Sequence, residues 1–418
     1  MKGFKKYLTI ALVALMSTAC VNDDTDFSEL INGGKNDNDT IPEEVITPID
    51  IDLDFTALDE ADDIVPTDET DPAYNDYEEN TDWRYTITIH YDGETATLDG
   101  NTTRVRSTVA GAHVVIRSTS ARVNYVVTGA SDNGSLKIYS ENKFKLTLAG
   151  VSLTNPTGAA INNQGGKSLY LVLADSTENS LADGTTYTDI DGEDQKGALF
   201  SEGQVLVSGK GSLTVTANAR HGLCSDDYFR FRPGCKVHVK SAVGHGIKAN
   251  DGITIDGGVL NIEVAGAGAK GIRCDSTMTV NGGRTTILAT GGVDITPSTD
   301  IAPADTSSCA GIKCDYALSI HGGNVLIKAT GEGGKGVNNT GDVLITGGAL
   351  QVVTTGVKGL ASPKGIKGDG ILNVTGGYVY SYSANAAPID TSEGILVADS
   401  YTTWETLPRR VIISFIGD

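Results

Sequence analysis

The chain carries none of the short signatures that announce a familiar chemistry. It has no phosphate-cradling glycine loop, no nucleophile elbow, no HExxH pair and no ordered catalytic triad. Its six cysteines show no spacing suited to a zinc site. Apolar residues at spacings of three and four, the mark of an amphipathic helix, are missing, so a helical fold is a poor reading. Positive charge is scarce, with 32 Lys and Arg against 53 Asp and Glu. A chain without a basic surplus is a poor partner for nucleic acid. Beyond the first twenty residues no run is long and apolar enough to cross a bilayer. What the chain has in plenty is glycine, 51 residues of it, and these recur in phase.

A short phrase begins at Gly222, Gly246, Gly271, Gly311, Gly336 and Gly365. The copies include HGIKANDGITIDGG, KGIRCDSTMTVNGG and AGIKCDYALSIHGG, and successive glycines are 24, 25, 40, 25 and 29 residues apart. A period of twenty-odd residues means a solenoid, whose units bury their apolar faces only against neighbours. Within each copy apolar and polar residues alternate, as in a strand with one buried face. Ile247, Ile253, Ile255, Leu260 and Ile262 should point inward, as should Ile272, Met278, Val280, Thr285 and Ile287. The pairs Gly257–Gly258, Gly282–Gly283, Gly322–Gly323, Gly347–Gly348 and Gly376–Gly377 mark a corner repeated in every coil. The expectation is an all-β, right-handed parallel β-helix of ten or eleven coils over residues 83–400, with about three strands per coil. Residues 401–418 would form a C-terminal cap.

The start of the chain reads differently. Lys2, Lys5 and Lys6 precede an apolar run through Met16, then Ser-Thr-Ala and Cys20. That is a secretory signal over residues 1–20, with Cys20 as the acylated cysteine of a bacterial lipoprotein. Residues 21–80 hold 21 acids and one Lys, a net of −20, so the 338 residues after them carry only −4 of the total −21. Such a segment should stay extended, and residues 21–82 are expected to be a disordered acidic linker. Asp23 and Asp24 behind Cys20 resemble the surface-export signal of some Gram-negative lipoproteins, which points to the outer membrane, facing the exterior. Apart from Cys20, five cysteines remain. Cys274 and Cys314 should share an inward column, and a disulfide from Cys309 to either stays open.

Stacking turns sequence positions into vertical columns. One outward column reads Glu202, Asp226, Asn250, Asp275, Asp315, Thr340, Asp369; two residues earlier another reads Cys224, Lys248, Arg273, Lys313, Asn338, Lys367. Like charges about 5 Å apart repel by roughly 3 kcal/mol at an effective dielectric near 20. Either calcium held by Asp226, Asp227, Asn250, Asp251, Asp275 and Asp315 offsets that, or the basic column does so alone. The loop Asp189-Ile-Asp-Gly-Glu-Asp194 reads as a calcium loop or as a solvated acidic turn. Lys248, Arg273 and Lys313 would suit the carboxylates of an acidic polysaccharide, or else simply neutralise the acids. Tyr378, Tyr380 and Tyr382 alternate outward, as a stacking platform for sugar rings or as packing beneath the segment carrying Trp404. His221 and His245 stack at a corner, more as fillers than as a catalytic pair.

The set HGLCSDD, HGIKANDGITIDGG and KGIRCD, with Leu148-Ala-Gly-Val-Ser-Leu-Thr-Asn155 and Ser176-Thr-Glu-Asn-Ser-Leu-Ala-Asp183 upstream, resembles a family of secreted bacterial carbohydrate-binding β-helix proteins. The resemblance covers roughly residues 84–400. It implies bound calcium, affinity for plant-wall glycans such as pectic acids or cellulose, and a fold similar to that of polysaccharide lyases. The expectation is therefore a non-catalytic, lipid-anchored polysaccharide-binding protein. A calcium-dependent lyase acting on uronic-acid polymers, with Lys248 or Lys313 as base, is the alternative, and a structural or adhesive surface protein a third. Oligomeric state is not legible.

Overall fold

A computed structural model describes Leu53 and residues 62–100, 102–298 and 304–415. The proposed signal peptide and Cys20 lie outside the described residues. The chain winds as a parallel β-helix of about 11 turns. Each regular coil contributes one strand to a 12-stranded sheet and two to a 23-stranded sheet. In the coil starting at His245 these are Ile247–Ala249, Gly252–Ile255 and Val259–Val264. Stacking is in register, so Ile247 lies beside Ile272, Ile272 beside Ile312, Ile312 beside Val337 and Val337 beside Ile366.

The alternation read from the sequence explains this directly. Ile247, Ile253, Ile255, Leu260 and Ile262 are all at most 2% exposed, and the same positions in the next two coils match them. Burying a Val, Leu or Ile contributes about 1.5–3 kcal/mol, and each coil repeats that gain in one continuous core. The second glycine of each corner pair has positive φ, from 67° at Gly348 to 83° at Gly258. Only glycine adopts that backbone without strain. The phrase-initial glycine has a different cause. A Cβ at Gly271 would stand 2.4 Å from Cγ2 of Ile287 and 2.7 Å from the carbonyl oxygen of Gly311. At Gly246, Gly271 and Gly311 the first strand therefore rests directly on an isoleucine of the third strand, and at Gly222 and Gly336 on a valine.

The long step of 40 residues is a surface hairpin, with Val293–Thr296 antiparallel to Asp305–Ser308. Cys274 stacks on Cys314 within the core, and the five described cysteines are all free thiols. The ends are closed by antiparallel strands. At the start, Thr95–Asp99 pairs with Tyr85–Asp92, and Val105–Ala110 pairs with Ala112–Ser118. Val105–Ala110 is largely exposed and forms an edge hairpin with the strand after it rather than part of a coil. At the finish, Arg410–Phe415 lies antiparallel to Tyr378–Ser383, and Tyr401–Leu407 folds onto it with Trp404 packed against the core. Such strands block the unpaired edges through which open solenoids aggregate.

The acidic segment departs from the expectation of disorder up to residue 82. From residue 62 it lies along the outside of the 23-stranded sheet, in two short 3-10 turns at Tyr74–Asp76 and Glu78–Asn80. Its acids pair with Arg230, Arg232 and Lys145. Acid density marked it as disordered, but ion pairing to a basic face supplies the ordering that composition alone withholds.

Gly271→Ala should lower stability by about 1–3 kcal/mol, the usual cost of forcing an extra methyl into a packed core. A thermal melt followed by circular dichroism, set beside a surface control such as Gly166→Ala in open space, measures it.

Candidate functional site

The outer face of the 12-stranded sheet gathers the chemistry singled out above. Register places Phe200 beside Cys224, Cys224 beside Lys248, Lys248 beside Arg273 and Arg273 beside Lys313. Further on, Asn338 pairs with Lys367 and Lys367 with Asp390. The basic column is thus continuous across three coils and breaks at Asn338. The acidic positions follow two residues later on the same strands, where each chain leaves the sheet.

The two columns interlock diagonally. The Lys248 ammonium donates to Oδ1 of Asn250 at 2.8 Å and to Oδ2 of Asp275 at 3.2 Å. Arg273 grips Asp315 through both terminal nitrogens, at 2.7 and 2.5 Å, and also reaches Asp275 at 2.8 Å. Lys313 stands 3.4 Å from Asp315. Each cation therefore bonds its own coil's acid or amide, and Lys248 and Arg273 also bond the next coil's, so the attraction outweighs the repulsion within each column. The Arg273 guanidinium holds the Asp315 carboxyl below its ordinary value, against burial that pushes the other way.

At the upstream end of this face the loop Gly184–Lys196 folds over the sheet. Glu193 takes hydrogen bonds from Lys137, at 2.6 Å, and from Tyr139. Asp194 meets Glu202 and Asp226, with carboxylate oxygens of all three within 4.8 Å of one another. Among the described residues this is the one group of three such ligands. Lys196 lies between, 2.8 Å from Asp194 and 2.5 Å from Asp226. Burial disfavours its charge, but the bonds to Asp194 and Asp226 prevail and raise its pKa. Burial, then repulsion from Asp226 and Asp194, raises that of Glu202.

The six residues expected to share a metal are thereby dispersed. Asp226 joins Asp194 and Glu202, with Asn250 bonded to it at 3.3 Å. Asp275 and Asp315 belong to Arg273. Asp227 faces Asp251, and burial followed by repulsion from Asp251 raises its pKa. The signal for Asp194 was present in the Asp189–Asp194 loop; that it would reach Glu202 was not, because loop length says nothing of where a loop lands. Three carboxylates converging on one point suit a hard cation in donor chemistry, with Lys196 as the competing positive charge.

Tyr378 and Tyr380 are half-buried and Tyr382 is 8% exposed. Their strand is flanked by Arg410–Phe415, which sets Ile412 beside Tyr380. His221 and His245 stack with ring centroids 4.7 Å apart and planes 3° from parallel. Each Nδ1 accepts a backbone N–H from the following coil, that of His245 at 2.9 Å and that of Lys270 at 3.0 Å. Burial pushes their pKa values down to about 4 and about 2, so both rings are neutral corner pieces.

Two segments, residues 110–270 and 264–359, match the family model described as "Carbohydrate-binding domain-containing protein". They span more than half of the 418 residues, and the chain belongs to that family. A carbohydrate-binding domain-containing protein of Acetivibrio thermocellus is 30% identical over 114 residues, covering 26% of this chain and 40% of that protein. The chain thus matches well under half the length of that relative. A solved polysaccharide lyase-like protein from C. thermocellum, a gadolinium derivative, superposes with a TM-score of 0.51 at 23% identity. That match covers 62% of this chain and 96% of the other, and it shows the shared fold.

The lattice has a definite response to acid. Asp315 has a depressed folded pKa, so its contribution is complete above the ordinary carboxylate value of 3.8 and is lost as pH falls below it through the folded value. In Arg273→Ala the Asp315 carboxyl should titrate at higher pH than in the unaltered protein. Carboxyl-carbon NMR reads that directly, and an unmoved titration would contradict the pairing.

Proposed function

We propose that the protein is a non-catalytic, lipid-anchored polysaccharide-binding protein, whose binding face is the outer surface of the 12-stranded sheet. The observation that carries this reading is the in-register column Lys248–Arg273–Lys313, fixed at strand spacing of roughly 4.8 Å, close to the advance of one sugar ring. Lys196, Lys248, Arg273 and Lys313 stand against Asp194, Glu202, Asp226, Asp275 and Asp315, so the face holds one more acid than base. Such a surface offers hydroxyl groups a dense array of donors and acceptors. An acidic chain of the pectic type needs a bridging cation there. Calcium at Asp194, Glu202 and Asp226 would supply that bridge, with Asn250 beside it.

The pairing also bears on catalysis. A lyase base must arrive without its proton, whereas Lys248 and Lys313 each serve as an ammonium donor to a carboxylate. Arg273 is held still more firmly in its charged form. The lysines therefore position a glycan and leave its bonds intact.

Affinity electrophoresis through gels of polygalacturonate, cellulose derivatives and a neutral glycan tests this. Retardation should occur on at least one, should weaken about tenfold or more in Lys248→Ala/Arg273→Ala, and on the acidic polymer should be strengthened by calcium. Absence of retardation on all three would refute the reading. Ultraviolet-absorbing unsaturated products from polygalacturonate with calcium would identify a lyase instead.

Anchoring rests on the residues before Cys20, and the outer membrane is the proposed location. Cys20→Ala should move the protein from the membrane fraction to the soluble fraction of a bacterial host. Unchanged membrane recovery would remove the lipid anchor from this account.

A further inference from the structure

The acidic segment crosses a different side of the solenoid, mainly on the outer face of the second strand column. Register sets Asn124, Lys145, Tyr170, Leu206, Arg230 and Thr254 one above another on six successive coils. The segment runs down this column against the direction of winding. The Leu53 carbonyl accepts from Asn261 at 2.8 Å. Asp63 and Glu79 close on Arg232, Asp76 on Arg230 at 3.0 Å, Glu78 on Lys145 at 2.7 Å, and Asp82 on Arg122 at 3.3 Å. Glu79 takes both terminal nitrogens of Arg232 at 2.9 Å each. The Arg232 side chain is left 2% exposed.

Rings alternate with these carboxylates. Tyr77 lies under the guanidinium of Arg232 at 4.1 Å and that of Arg230 at 5.4 Å. Trp83 meets Tyr170 edge to face at 5.5 Å. Residues 62–82 contain nine acids and no Lys or Arg. Beneath them the face offers Lys143, Lys145, Arg230 and Arg232, with Asp256 the acid paired to Arg230 from the solenoid side. The bound segment thus has the recognition pattern of an anionic polymer: spaced carboxylates on cations, flat rings on aromatic and guanidinium surfaces. Unlike the first face, this one carries a clear cationic surplus once uncovered.

We propose that the face formed by Lys145, Tyr170, Arg230 and Arg232 is a second glycan site, specific for polycarboxylate chains such as polyuronates. The segment 62–82 occupies it in cis, and an external polyuronate gains it by displacing that segment. Being tethered, the segment competes at high effective concentration, so the apparent affinity of the site is lowered by the fraction of time it is covered. The site needs no calcium, because guanidinium and ammonium groups meet the carboxylates directly. It is independent of the first-sheet face, and chelator separates the two.

The test uses the full chain with Asp76→Asn, Glu78→Gln and Glu79→Gln combined. In chelator and low salt the triple variant should hold polygalacturonate about tenfold or more tighter than the unaltered protein, as expected when a covered site becomes free. Adding Arg230→Gln and Arg232→Gln should erase that gain, and a neutral glycan should show none. A folded triple variant with unchanged or weaker chelator-resistant binding overturns the proposal, and leaves calcium-dependent binding through Lys248 and Arg273 standing. Conversely, loss of calcium-dependent binding alone would sink the first-face reading and spare this one. Should the variant not fold, the unaltered protein gives the answer with a Glu-specific protease. Polygalacturonate should speed cleavage after Glu78 and Glu79 several-fold, and unchanged or slowed cleavage overturns the proposal.

Discussion

In-register stacking of parallel strands is the constraint on which this molecule depends. It places every residue of one coil directly over its counterpart in the next, at a separation too short for charges to ignore one another. Inside, that rule is favourable, because isoleucine over isoleucine builds a core without gaps. Outside, it would stack Asp on Asp and Lys on Lys. The chain escapes by offsetting the two charged columns by two residues, so that Arg273 bridges Asp275 and Asp315 across neighbouring coils. Inner packing and outer chemistry are therefore set by a single geometric repeat.

The two decorated faces resolve their charge differently. On the 12-stranded sheet the counter-ions come from the solenoid itself, and the result is a balanced lattice with a slight acidic excess. On the second column the cations Lys145, Arg230 and Arg232 find much of their partnership in a segment that precedes the solenoid in sequence. One face is complete on its own, and the other is completed by a neighbour that is covalently attached yet topologically outside the coil.

The coil architecture was legible in the sequence because its cause is local. Alternation in Ile253, Ile255, Leu260 and Ile262 and the glycine corners each follow from the residues of one coil and their nearest copy. The columns Lys248–Arg273–Lys313 and Asp226–Asn250 were likewise legible, since register follows once the repeat is aligned. What escaped was contact between segments that share no repeat. Asp194 reaches Glu202 and Asp226 through a loop, and Glu79 reaches Arg232 across 153 positions. Asp226 and Asp227 occupy the bend between two strands, where the first turns to Asp194 and Glu202 and the second to Asp251. For the acidic segment, composition argues disorder, while Tyr74 and Tyr77 within it and Trp83 just after it supply rings to pack.

The line of the acidic segment has a mechanical meaning. Because it runs across six coils from Asn261 back to Arg122, a pull on the chain ahead of Leu53 does not act first on the opening rung of the solenoid. It loads Asn261 first, and then the ion pairs that join the segment to Arg232, Arg230 and Lys145. Tension would be spent on ion pairs that re-form readily when it is released, and the hydrogen-bonded rungs would be reached last. Were the chain held by its beginning, the segment would act as a shock absorber for the solenoid.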